Sequence, residues 1–449
     1  MEELGSMDPL PPLQQGAPRE TARRWLQVAG PVVSWKDTFY RYSKGCYHPW
    51  ADRPARGHLD DWLERQLVWA QGANGPITTP YRVRKDDSME ILDHARTLVH
   101  REGDELPIWE DGSGAEGTLL LADGILNTAS RSVSPHTPKL FEITKLPFQW
   151  GEGAPKDPPK RWLEFLAIDW SQAEIEVCQE FFGYCLANHR RFQKFLILLG
   201  PPRSGKGVIL SILSELVGRG NTYPARMGTF SSAHLDEELA TKQLIVIPDA
   251  RKGNHSEGGR ALEFILTFTG NDDVNLPRKY KSNWRGKPRG KLAMATNELI
   301  GFQDSSNALG ARAIILERRT SFVDREDTEL EARLREELRA IFFWALEGLD
   351  RLTARGKFDL TSQPADLKRA FAHLSNPVAN YLDDAAVLDP AGFVPIQGLF
   401  EDWLRWCKTT GTLNSLRQIQ FVAAVKQQLT GVREASLDGV KVLKGMRGL

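Results

Sequence analysis

Lys194–Leu213 reads KFLILLGPPRSGKGVILSIL, and the rest of the chain is organised around it. Phe195 to Leu199 is an unbroken apolar run, the pattern of a strand covered on both faces. The run stops at Gly200, and helix-period residues resume over Val208–Leu216. Between them the letters spell Gly-x-x-x-x-Gly-Lys, the signature of a phosphate-binding loop. Gly200, Pro201, Pro202, Arg203, Ser204, Gly205, Lys206 and Gly207 make up this candidate ATP-binding segment. Its glycines let successive backbone N–H groups converge on phosphate oxygens, and the helix N-terminus adds positive potential. Lys206 can reach the β- and γ-phosphates as a mobile point charge. Gly207 stands where Ser or Thr ordinarily ligates Mg2+, so a water or another residue must replace that ligand. An ordinary Gly-Lys turn carries the same letters; the strand before it and the helix after it favour phosphate.

At 449 residues the chain is long enough for two to four domains with real cores. With 41% hydrophobic and 26% charged residues it has the composition of a soluble globular protein. No apolar run approaches the ~20 residues of a membrane span, and no apolar signal core opens the sequence. Four scattered cysteines, Cys46, Cys178, Cys185 and Cys407, give neither a disulfide framework nor a zinc ribbon. Cys46 and His48 are a weak metal signal. A reducing, cytoplasmic setting is the expectation. The 58 basic residues balance 58 acidic ones, so any nucleic-acid contact must come from a local patch.

Residues 1–20 are polar and Pro-rich and read as a disordered tail. Residues 21–150 carry Trp25, Trp35, Tyr40, Tyr42, Trp50, Trp62, Trp69 and Trp109, more in keeping with a mixed α/β core than with base-stacking platforms. Val32–Tyr42 alternates like a strand, whereas His58–Trp69 and Ser88–Val99 have helical spacing. Residues 151–170 open with GEGAPKDPPK and read as a linker. Ser171–Leu186 begins on a Ser cap and repeats apolar residues at helical intervals. Two further buried-type strands follow: Gln243–Pro248, ending at Asp249, and Lys291–Thr296, ending at Asn297. A fourth, Ala313–Leu316, begins after Arg312, and Glu326–Leu352 is helical. The pattern predicts an α/β nucleotide-binding domain over 171–356. Residues 357–449 read as helices followed by a small hairpin, the outline of a winged helix.

Asp249 and Asn297 close apolar strands, the edge where open α/β sheets bind ligands. There Asp249 can hold Mg2+ or a magnesium-bound water. Asn297 can hold the lytic water or sense the γ-phosphate without competing for metal. Ala250 follows Asp249 where a water-orienting Glu is usual, leaving Glu257, Glu263 and Glu298 as candidate bases. Arg278–Lys291 (RKYKSNWRGKPRGK) holds seven Lys/Arg in fourteen positions and no acid, with Tyr280 and Trp284 interleaved. Positive charge follows a phosphate backbone while aromatics offer stacking surfaces, so the stretch points to single-strand binding.

The order GPPRSGKG, LIVIPDAR, FTGNDDVNLPRKYK, MATNEL, DSSNALGARAIIL, SFVDREDTEL and IFFWALEGL resembles the superfamily 3, AAA+-like replicative helicases of phages and plasmids, often fused to a primase. The resemblance covers Ser171–Gly356. Less specifically, residues 120–150 resemble the domain that precedes the motor in that family. The resemblance implies a P-loop AAA+-like motor with Lys206 in Walker A, Asp249 in Walker B and Asn297 as sensor 1. It also implies that Arg278, Lys279 and Lys281 belong to a DNA-contacting hairpin, and that Arg312 is an arginine finger acting across a subunit boundary. ATP and Mg2+ are the implied cofactors. Single-stranded and forked DNA, a hexameric homo-oligomer and a separate primase or polymerase are the implied partners, with 3′→5′ travel. Gly207 and Ala250 depart from the family pattern. They motivate a second reading, a nucleotide-gated DNA-binding or initiator scaffold with little hydrolysis. A small-molecule P-loop kinase would need neither the basic insert nor the C-terminal module.

Overall fold

Every residue of Phe195–Leu199 (β1) is buried, because the strand lies inside a sheet covered on both faces. The computed structural model describes residues 11–103, 106–231, 237–250, 255–278, 282–298, 308–361, 377–410 and 416–448. It divides into two compact units, Met1–Gly153 with Asn275–Lys287, and Ala154–Val274 with Pro288–Leu449.

In the second unit β1 joins Thr222–Pro224 (β2), Leu244–Ile247 (β3), Lys291–Thr296 (β4) and Ala313–Glu317 (β5). The order is β2-β3-β4-β1-β5, and every pairing is parallel. Thus β4 is inserted between the strand that precedes the glycine loop and the strand that precedes Asp249. Leu199 pairs with Thr296 and Ile247 with Met294, so the loop, Asp249 and Asn297 leave the sheet at one edge. Sequence alternation could not show β2, a three-residue edge strand.

Gln172–Leu186 (α1) starts on a capping box in which Ser171 and Glu174 satisfy each other's backbone N–H groups. It packs on Leu338–Arg355 (α4), where Gly183 and Gly348 bring the backbones together. A Cβ on Gly183 would lie 2.3 Å from the Ala345 carbonyl oxygen. Arg351 and Arg355 both bond the buried Glu180 across this contact. Lys206–Val217 (α2) and His255–Gly270 (α3) complete the frame around the sheet.

The linker reading of residues 151–170 is corrected in its second half. Lys160–Ala167 is a helix with Trp162, Phe165 and Leu166 buried, since three apolar side chains on one face give it a core to join. The helical reading of Glu326–Leu352 is likewise divided, into Leu330–Glu336 and α4.

The remainder of this unit runs Pro377–Ala385 (α5), Ala386–Pro395 (β6), Ile396–Thr410 (α6), Gln418–Gln428 (α7), Arg433–Leu437 (β7) and Val440–Gly448 (β8). Its antiparallel sheet has the order β6-β8-β7. Tyr381, Trp403, Phe421, Leu443 and Met446 form its core. β6 was not legible in the sequence: a register break between Asp389 and Phe393 interrupts its alternation.

The first unit is mixed α/β, with helices Pro18–Ala29, Asp52–Leu63 and Lys85–Leu98. Trp25, Phe39, Leu59 and Ile91 meet in its core, and Trp35 is also buried. The strand expected over Val32–Tyr42 is two strands, Val32–Trp35 and Thr38–Ser43. Lys36 and Asp37 turn between them, both at positive φ, the two-residue hairpin geometry that matches strand twist. Likewise His58–Trp69 divides into the end of a helix and the strand Leu67–Gly72. The tail reading is corrected for residues 11–20. Leu13–Gln14 pairs with Val68 and Trp69, Leu13 is buried, and Pro18 begins a helix, its missing N–H costing nothing there. Residues 1–10 lie outside the described residues.

Among the described residues no helix is long and apolar enough to cross a membrane, and no group of three or more His, Cys, Asp or Glu could hold a metal. The four cysteines are free and buried.

Candidate nucleotide site and basic ribbon

The loop between β1 and α2 is shaped by its glycines. Gly200 (φ 151°) and Gly205 (φ 85°) adopt conformations that disfavour a side chain. A Cβ on Gly200 would lie 2.0 Å from the Arg318 carbonyl oxygen, and one on Gly205 would strike the Phe165 ring at 2.7 Å. Lys206 opens α2 and folds back over the loop. Its ammonium donates to the carbonyls of Gly200 and Pro201 at 2.7 Å each, with Ser204 Oγ at 3.2 Å. It also donates to Asn297 Oδ1 at 3.1 Å. Burial holds its pKa below the usual lysine range, against the pull of the Asp249 carboxylate. Asp249 is exposed beyond β3, and Ala250 N–H is tied to the Ala295 carbonyl at 2.7 Å.

Lys206, Asp249 and Asn297 therefore converge at one sheet edge. The geometry fits a nucleotide: a glycine loop that tolerates no Cβ at two positions, followed by a lysine with phosphate-like acceptors around it. Mg2+ would take Asp249 and water. Among the described residues a Cβ on Gly207 would meet no atom within 4 Å, so the place of the missing hydroxyl is open space. Of the candidate bases, Glu298 is exposed next to Asn297 and Glu263 is exposed on α3. The Glu257 side chain lies outside the described residues.

Arg312 is not brought to this cluster. It precedes β5, whose first residue pairs with Phe195, the first of β1. Four strand residues, about 13 Å, separate that level from the loop. Its guanidinium donates to the Leu266 carbonyl at 2.5 Å and lies 3.3 Å from Thr269 Oγ1.

Two residues that sequence reading missed lie under the loop. Arg318, fully buried after β5, pairs with Asp169 at 3.0 Å. It also donates to the Ser204 carbonyl at 3.1 Å. The only trace in the sequence is a charged residue following an apolar strand, which by itself marks an ordinary strand end.

The basic stretch differs from its sequence reading. Val274–Leu276 and Trp284–Gly286 form a two-stranded ribbon. Trp284 is not a free stacking surface: it is buried, edge-on to Trp35 with ring centroids 6.5 Å apart. Arg278 has only 4% of its side chain exposed and stands 3.5 Å from the Asp37 carboxylate. It donates to the carbonyls of Lys36 at 2.7 Å and Ser282 at 2.6 Å. Ser282 Oγ bonds Asp37 as well, and Lys36 Nζ donates to the Arg285 carbonyl at 2.7 Å. Arg289 and Lys291 are also buried. Lys279, Tyr280 and Lys281 lie outside the described residues. The expected solvent-facing stripe is thus partly internal, because guanidinium and ammonium groups found carbonyl partners.

A family model described as a family of unknown function (DUF5906) matches residues 198–319, the span from β1 to the start of the segment after β5. The chain is similar in structure to the apo NrS-1 C-terminal region (305–718), with a TM-score of 0.52 and 11% identity over 96% of this chain and 99% of that one. The A form apo structure of the NrS-1 C-terminal region gives 0.50 and 10% identity, over 95% and 99%. At such identities the likeness is one of fold.

Proposed function

We propose that this chain is an ATP-hydrolysing DNA motor, a ring-forming helicase of the superfamily 3, AAA+-like kind, serving DNA replication. The observation that carries the reading is the Lys206–Asn297 hydrogen bond, which joins the phosphate-binding lysine to a neutral amide at the end of β4. The inserted β4, with Asp249 on one side and the loop on the other, supports it. Lys206 and the loop N–H groups would bind the β- and γ-phosphates, Asp249 would hold Mg2+, and Asn297 would orient the attacking water. Bound ATP would supply the phosphoanhydride whose cleavage drives the motor.

Arg312, at the opposite sheet edge from its own loop, suits action on a neighbour's nucleotide in a homo-oligomer, a hexamer by the family resemblance. Travel would be 3′→5′ along one strand. The helix–strand–helix–helix–hairpin order of residues 377–448 supports a winged-helix module for duplex DNA or a partner, and priming would fall to a separate primase or polymerase. A cytoplasmic location accords with this reading. The test is ATP turnover with and without single-stranded DNA, beside strand separation on a fork. Lys206→Ala should abolish both while the protein stays folded; undiminished turnover in that variant removes the loop from the motor.

A second reading, the nucleotide-gated scaffold, is favoured by Gly207 and Ala250, which leave a metal ligand and a water-orienting carboxylate unsupplied. It predicts nucleotide-dependent DNA binding with negligible turnover in the same assay.

A further inference from the structure

The peptide between Ser204 and Gly205 is held through its carbonyl oxygen by a buried arginine. Arg318 lies directly beneath it. Its Nε is 3.1 Å from the Ser204 carbonyl oxygen and 3.0 Å from Asp169 Oδ2. Its Nη1 donates to the carbonyls of Phe165 at 3.1 Å and Leu166 at 3.3 Å. The guanidinium carbon stands 4.7 Å from the Phe165 ring centroid and 5.5 Å from that of Trp170.

The platform is braced in turn. Asp169 Oδ1 accepts from Thr320 N at 3.0 Å and Thr320 Oγ1 at 2.8 Å, and Trp170 Nε1 donates to the Glu317 carbonyl at 2.8 Å. Such a site selects arginine. A planar fork can donate to the Ser204 carbonyl from Nε and to the Phe165 and Leu166 carbonyls from Nη1 while its charge lies beside the Asp169 carboxylate; a lysine ammonium cannot reach all three carbonyls from one point.

The consequence is stereochemical. In a planar trans peptide the C=O and the following N–H point in opposite directions. Drawing the Ser204 carbonyl down onto Arg318 turns the Gly205 N–H away from Arg318. Gly205, at φ 85°, is the residue about which that peptide could otherwise turn over. We propose that Arg318, held by Asp169, is the positioning residue that fixes the Ser204–Gly205 peptide so that the Gly205 N–H serves a nucleotide phosphate. The proposal rests on the nucleotide-site reading above and adds a group that does not itself touch the ligand.

The test uses the full chain with ATP and ADP as probes, Lys206→Ala as control, and melting temperature measured in parallel. Arg318→Lys keeps a cation for Asp169 but loses the fork. It should weaken both nucleotides about ten- to a hundredfold, the loss of one charge-assisted hydrogen bond. KM should rise accordingly while kcat at saturation stays within about threefold. Asp169→Asn leaves Arg318 in place but loosens it, and should weaken binding in the same direction by a smaller factor. It supplies the answer if Arg318→Lys does not fold. A purely structural ion pair would lower the melting temperature and leave the affinities of the folded variants unchanged; that result overturns the proposal. If the wild type binds neither nucleotide, the site reading itself fails, an outcome distinct from a folded variant binding normally.

Discussion

Lys206 Nζ donates to Asn297 Oδ1 at 3.1 Å across 91 residues of sequence. The ammonium's other donors are taken by loop carbonyls, so under the nucleotide-site reading an incoming phosphate would exchange one set of oxygens for another. Because the amide is neutral, it holds the lysine without competing as a charge.

Asn297→Ala should therefore lower kcat about a hundredfold, as loss of one positioned polar group does, with ATP affinity within about threefold of wild type. Asn297→Asp should behave differently: its carboxylate would pair with Lys206 and weaken ATP binding. Steady-state kinetics with direct binding separates the two. Equal kcat in the alanine variant would remove Asn297 from the chemistry.

Arg312→Ala should leave nucleotide binding by isolated subunits intact and reduce turnover in the assembly by about a thousandfold or more, the scale of an arginine finger. Mixing Arg312→Ala with Lys206→Ala subunits should restore part of the activity, since some junctions then hold one intact residue of each kind. Absence of complementation at every ratio would argue that Arg312 does not act across the interface.

Arg278 is held by the Lys36–Asp37 turn, so under the helicase reading a DNA phosphate would have to compete with Asp37 for it. Asp37→Asn should tighten single-strand binding about two- to fivefold, a modest gain because the Asp37 carboxylate is itself largely exposed and screened by solvent. Replacing Arg278, Lys279 and Lys281 together by Ala should flatten the slope of log affinity against log salt by up to about 2, at ~0.7 per phosphate. Basal ATP turnover should survive. An unchanged slope with normal unwinding would move the DNA site away from the ribbon, toward the C-terminal module around residues 419–443.

Gly207→Ser should be accommodated, since a Cβ there meets nothing within 4 Å. Replacing glycine in the first turn of α2 should add about 0.5 kcal/mol of stability. Under the helicase reading the new hydroxyl should lower the Mg2+ concentration needed for half-maximal turnover. A magnesium titration unaffected by the substitution would show that the metal does not sit at this position.

His189 supplies a pH test of the fold around α1. Its pKa is pushed down to about 4, first by burial and then by the Lys291 and Arg191 charges. Its ring packs against Tyr184 and Phe192. A base whose folded pKa is depressed is neutral in the native state, whereas the unfolded chain takes up a proton below about 6.5. Stability from this group is thus complete above that value and is lost as pH falls toward 4, by up to roughly 3 kcal/mol before solvent screening of a partly exposed ring reduces it. Urea unfolding between pH 7 and 4 should show a shallower fall in His189→Phe than in the wild type; parallel curves would exclude His189 as the cause.

The sequence alone determined the parts whose physics is local. An apolar run, a glycine loop and a helix-period segment gave β1, its loop and α2 at nearly their observed bounds. The strand ends at Asp249 and Asn297 were legible because a buried strand must stop where polar residues begin. The tertiary structure decided what long side chains do. A Lys/Arg run reads as a solvated face because isolated charges are costly to bury. Arg278, Lys291 and Arg318 are buried nonetheless, each paired with carbonyl oxygens supplied by distant elements. Arg318 meets Ser204 across 114 residues, and no spacing rule connects them. Short strands such as Leu13–Gln14 and β2 were equally invisible. Two or three residues carry no period of their own, and their backbone bonds are satisfied only when a neighbouring strand is already in place.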